Sequence, residues 1–67
     1  MVLIEIGKKI RERRNTLRIT QSYLAEMAGI SESTLHRIET GKANPTITVL
    51  NQIAEILGLE IKLDVKK

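Results

Sequence analysis

Apolar residues recur along this chain with two different periods. Over about 5–18, Ile6, Ile10 and Leu17 fall in steps of three and four, with Arg13 or Arg14 between them, which predicts a first helix. Residues 1–4 are apolar and read either as an extended lead-in or as the start of that helix. Leu24, Ala25, Ala28, Ile30, Leu35 and Ile38 continue in two shorter bursts, predicting helices over 21–28 and 32–40. A fourth helix is predicted over 47–57. There Ile47, Val49, Leu50, Ile53, Ala54, Ile56 and Leu57 make a stripe broad enough to cover helices 1 and 3 and still offer a flank to a second subunit. Thr20, Ser31 and Thr46 stand where N-caps belong, and Gly41 and Gly58 where helices stop. Pro45 bars continuation of the third helix.

Past Gly58 the period drops to two. Leu59, Ile61, Leu63 and Val65 alternate with Glu60, Lys62, Asp64 and Lys66, the pattern of a strand with one apolar face over 59–65. A single strand in a helical chain has no partner for its backbone N–H and C=O groups. The same strand from a second copy supplies one, as a two-stranded antiparallel ribbon across a twofold axis. Residues 1–4 are the rival partner within the chain, and an unstructured tail is the plain alternative.

The stretch 20–41 is the most informative. Two short helices joined through Gly29 and Ile30 must cross closely, so Ala25 is small where the second helix lies over it. Gly29 takes the positive φ that the turn requires. Leu24, Ile30, Leu35 and Ile38 form the inner seam. This is the spacing of a helix-turn-helix, a DNA-reading unit.

Composition narrows the functions open to the chain. Its 67 residues make one domain, 1–67, with a helix bundle over about 5–57. So short a chain buries only about 60% of its unfolded surface, and dimerisation is a common remedy. There is no cysteine, hence no disulfide and no thiolate metal site. Tyr23 is the sole aromatic residue, which argues against base-stacking on single strands. The net charge of +3 suits a polyanionic partner. No apolar run is long enough to span a membrane and no signal-peptide pattern precedes the first helix, so a cytoplasmic protein is expected. One histidine, no phosphate loop and no paired acidic motif leave no basis for an enzyme; no cofactor or metal is expected.

The segment over about 6–57 resembles the Cro/repressor-type helix-turn-helix regulators, the Xre family. The resemblance rests on Ile10, Arg14, Thr20, Gln21, Leu24, Ala25, Gly29, Leu35, Ile38, Glu39, Gly41, Lys42, Pro45, Ile53, Ala54 and Leu57. It implies an all-α, compact four-helix, lambda-repressor-like domain, and an ion pair between Arg14 and Glu39. The compact body followed by the alternating tail looks most like the HipB-type antitoxins, in which such a tail is a dimerising strand. Leu59, Ile61, Leu63 and Val65 would then be the dimer strand.

In a helix-turn-helix the second helix enters the major groove. Glu32, Ser33, His36 and Arg37 share its outward face and are the candidate base readers. The Arg37 fork matches guanine O6 and N7, and Glu32 can accept from cytosine N4 or sit as a dipole carboxylate in the first turn. Gln21, Thr34, Thr40, Lys42 and Asn44 are the candidate phosphate contacts, Gln21 by analogy with the family's matching glutamine. The expected function is a transcriptional regulator, a repressor or autorepressor, binding an inverted-repeat operator in double-stranded DNA as a homodimer. The alternative is an antitoxin whose main partner is a cognate toxin protein.

Overall fold

A computed structural model describes residues 2–64. Four helices follow one another: α1 Val2–Thr16, α2 Gln21–Ala28, α3 Glu32–Glu39 and α4 Ile47–Leu57. The three expected caps close the helix starts. Thr20 Oγ1 accepts from the Tyr23 N–H at 3.0 Å, Ser31 Oγ from Thr34 at 3.0 Å and Thr46 Oγ1 from Val49 at 3.2 Å. The helix ends share one device. In each, the chain reverses through a left-handed residue and two N–H groups fold back on the last turn, as in the bonds Gly29 to Glu26 and Ile30 to Ala25.

The first helix departs from the predicted bounds at both ends. It begins at Val2, so residues 2–4 are helical and are no strand partner for the tail. It stops at Thr16 because Arg18 adopts φ 58 and serves as the reversing residue, with Arg18 and Ile19 donating back to Asn15 and Arg14. Leu17 therefore leaves the helical face it was assigned and stands 39% exposed. The third helix ends at Glu39, with Thr40 as its cap. Among the described residues no strand forms. Residues 59–64 have no regular structure, and Val65 lies outside the described residues.

The core is aliphatic. Leu24, Leu35, Ile38, Ile53 and Leu57 are fully buried, with Ile10, Ala25 and Ala28 completing the cluster. Each large side chain so buried contributes about 1.5–3 kcal/mol. α3 packs on α1 and α2, and α4 packs mainly on α1 and α2, not on α1 and α3 as its stripe suggested. Ile47, part of the broad apolar stripe, is 68% exposed at the first position of α4.

Gly7 sets how closely α1 meets α3. A Cβ there would lie 2.7 Å from the Glu39 carbonyl oxygen and overlap that of Ile38. One helical face carries Gly7, Ile10 and Arg14, spaced i, i+3, i+7. The close approach at Gly7 thus leads, two turns on, to Arg14 meeting Glu39. Arg14 Nε donates to Glu39 Oε2 at 2.8 Å and Nη2 to Oε1 at 3.1 Å, a two-pronged pair. Arg14 Nη1 also reaches the Ile19 carbonyl at 2.9 Å, tying down the α1–α2 loop. The neighbouring Arg13 donates to the Leu57 carbonyl at 2.8 Å and caps the end of α4.

Two outcomes test this arrangement. Gly7→Ala forces α1 off α3 and should cost about 1–3 kcal/mol, read as a lower midpoint in urea unfolding. Glu39→Ala strands the largely buried Arg14 guanidinium, a loss of about 3–5 kcal/mol. In a domain this small the melting temperature should fall by roughly 10 °C or more; an unchanged melt would remove the pair from any structural role.

Candidate nucleic-acid interface

The helix-turn-helix is formed by α2 and α3, with Gly29 (φ 71) at the turn between them. Leu35 and Ile38 fix α3 from inside, at 0% and 2% exposure, so its outer face is free of packing duties. That face carries Glu32, Ser33, His36 and Arg37, all exposed. Glu32 stands in the first turn and His36 and Arg37 in the last, so acceptor and donor chemistry are separated along the helix. Arg37 spends one N–H on the Lys42 carbonyl at 3.3 Å, a weak tether that leaves most of its fork available.

The side chains proposed for phosphate contact differ in what they can still donate. Thr34 Oγ1 accepts from Ser31 Oγ at 2.8 Å, which leaves its own proton available. Thr40 donates its proton to the His36 carbonyl at 2.9 Å and shares it with that of Arg37 at 3.3 Å, so it offers a phosphate no free donor. Lys42 and Asn44 are exposed in the loop between α3 and α4. Gln21 is turned inward instead of outward: Nε2 donates to Glu39 Oε1 at 3.0 Å and faces His36 Nδ1 at 3.5 Å. What it still offers a phosphate is the backbone N–H. With Ser22, it belongs to the first turn of α2, where amides have no intrahelical acceptor.

These contacts build a polar cleft of about 310 Å³ lined by Arg11, Arg14, Gln21, His36, Glu39 and Thr40. Glu39 is its floor, 5% exposed, and accepts from both Arg14 and Gln21. Gln21 thus links His36 to the carboxylate that holds α1, so the candidate reading face and the core share a support. Reading the sequence alone assigned Arg11 to a solvated face and passed over Gly7. The signal for Gly7 was a glycine inside a helical pattern, which costs about 1 kcal/mol against alanine unless packing requires it. Arg11 carried no signal beyond the excess of basic residues in α1.

Among the described residues no helix is long and apolar enough to cross a membrane, and no cluster of side chains could hold a metal ion. The helix-turn-helix family HTH_3 matches residues 10–63. The immunity repressor of Bacillus phage phi105 is 36% identical over 56 residues, which is 84% of this chain and 39% of that protein. An uncharacterised HTH-type transcriptional regulator of Methanothermobacter thermautotrophicus is 39% identical over 51 residues, 76% of this chain and 74% of that protein. In three dimensions the chain is similar to the restriction-modification controller protein C.AhdI of Aeromonas hydrophila. That match has a TM-score of 0.82 and 28% identity, covering 87% of this chain and 88% of the other. The inner seam of α2 and α3, the free outer face of α3 and this span of matched sequence lead to one conclusion: the chain belongs to the HTH_3 helix-turn-helix family of Xre-type transcriptional regulators, a non-enzymatic DNA-binding family.

Proposed function

We propose that this protein is a cytoplasmic repressor or autorepressor that binds an inverted-repeat operator as a homodimer. The observation that carries the reading is the outer face of α3. Four polar side chains of mixed donor and acceptor character stand there unpacked, on a helix held rigid from within. Arg37 reads guanine; Glu32, Ser33 and His36 complete the base-reading set. Thr34, Lys42, Asn44 and the first amides of α2 hold the flanking phosphates. Gln21 acts less as a contact than as the link that orients His36 and Glu39. The phage repressor and the controller protein among its relatives support regulation of transcription. The antitoxin alternative draws on the tail and on the small single-domain size without a ligand-sensing part, and the regulatory reading uses the same tail.

One helix-turn-helix covers few base pairs, so specificity calls for two copies. A twofold dimer presents two α3 helices to half-sites about 34 Å or 10 bp apart, or a multiple of that. The tail supplies the join. Its apolar residues Leu59 and Ile61 are 36% and 43% exposed, and Leu63 is wholly exposed, so a single copy leaves this face uncovered.

Selection from random duplex DNA should enrich an inverted repeat; enrichment of nothing would end the proposal. Arg37→Ala should relax base preference at one position per half-site by about 1–3 kcal/mol. Lys42→Ala should weaken all sequences alike and lower the salt slope by about one per protomer. Identical profiles for the two variants would show the contacts to be wrongly sorted. Truncation after Leu59 keeps the two bonds that close α4. It should give a folded monomer with much weaker operator binding, measured by sedimentation and DNA titration.

A further inference from the structure

A groove of about 440 Å³ runs between the start of α1, the start of α4 and the tail. Val2, Ile6, Ile47 and Leu50 contribute to its walls, with Val2 and Ile47 more than two-thirds exposed. The tail lies along it from Leu59 to Leu63, Glu60 and Lys62 included, yet Leu63 is 100% exposed and buries nothing in its own chain. A large apolar side chain left bare beside an unfilled apolar groove calls for an occupant.

The charges of the tail suit a second copy as the occupant and narrow its register. In an antiparallel ribbon of two identical strands, paired positions must sum to an even number, or apolar residues would face charged ones. A twofold axis at Lys62 sets Lys62 against itself and Glu60 against the partner's Asp64. An axis at Asp64 sets Asp64 against itself. Both oppose like charges, which destabilises a ribbon. An axis at Ile61 pairs Glu60 with the partner's Lys62 twice over. It also pairs Leu59 with the partner's Leu63, and Ile61 with itself. An axis at Leu63 also opposes unlike charges, Lys62 to the partner's Asp64 and Glu60 to its Lys66, so charge leaves two registers. The groove decides between them: the tail residues that line it are 59–63, whose midpoint is Ile61.

We propose, resting on the dimer reading above, that the occupant of each groove is the tail of a second copy, in the register centred on Ile61. The bare Leu63 of each chain then seats beside Leu59 of the other, over the wall formed by α1 and α4. Glu60 and Lys62, which line the groove in the single copy, turn to the outer side of the ribbon on pairing, where each meets the other of the partner. The two grooves are filled reciprocally, so each copy completes the surface of the other.

Sedimentation equilibrium on the full chain and its variants tests this. Glu60→Lys alone and Lys62→Glu alone each set two like-charged pairs and should raise the dimer dissociation constant about tenfold. The double variant Glu60→Lys/Lys62→Glu should return it to within about threefold of the original, and Asp64→Lys should leave it unchanged. Leu63→Ser should weaken the dimer while the melting of dilute monomer stays the same. A double variant that remains weak, or an Asp64→Lys as disruptive as Lys62→Glu, would place the axis at Leu63 and overturn the register while leaving the dimer. A Leu63→Ser dimer of full strength would overturn the groove assignment and leave that surface to another partner. A full chain monomeric at tens of micromolar would overturn the dimer reading itself.

Discussion

The carboxylate of Glu39 is the point on which the rest of the structure depends. It ends α3, lies almost wholly buried, and accepts from α1 through Arg14 and from α2 through Gln21. Burying one carboxylate without partners would be prohibitive, so each element must arrive with its donor in place. Arg14 arrives because Gly7 lets α1 lie close against the end of α3. Gln21 arrives because Thr20 caps α2 and fixes where that helix begins. Among the described residues no buried side-chain nitrogen or oxygen is left without a partner. Three helices are thereby aligned by directional bonds, where aliphatic packing alone would tolerate sliding.

This arrangement joins stability to the proposed recognition face. His36 belongs to the outer face of α3, and Gln21 connects it to the buried pair. The helix proposed to read bases, α3, is positioned from beneath by Leu35 and Ile38 and at its end by Glu39. A helix so fixed would lose little freedom on entering a groove, and a contact misplaced by an ångström forfeits its hydrogen bond. Arg13 does the corresponding work at the other side of α1, closing the end of α4 through the Leu57 carbonyl, immediately before the tail begins.

Most of the fold is legible in residue order. The caps at Thr20, Ser31 and Thr46 were readable because a short hydroxyl before an apolar burst has one good use there. The reversals at Gly29 and Gly58 were readable because glycine takes positive φ freely. Arg18 was not, because nothing in an arginine announces a left-handed turn; the helix end was misplaced and Leu17 was wrongly turned inward. Which part of the α4 stripe stays open, at Ile47, was not legible, since apolar character says that a residue seeks cover and not where cover lies. The polar bonds were the least legible part. Gln21, Thr40 and His36 have the same identity whether they point at a phosphate or at a neighbouring helix.

The sequence by itself determined the helices, their order, the inner seam of the helix-turn-helix and the family. Each of these rests on local periodicity and on backbone preferences that short segments carry with them. Tertiary structure decided which donors remain for a ligand. It turned Gln21 inward, spent the hydroxyl of Thr40, set Arg11 on the wall of the cleft that Glu39 lines and left Leu63 bare above an apolar groove. The physical reason is that hydrogen bonds and grooves form between residues far apart in the chain, and so depend on distances that no single segment encodes.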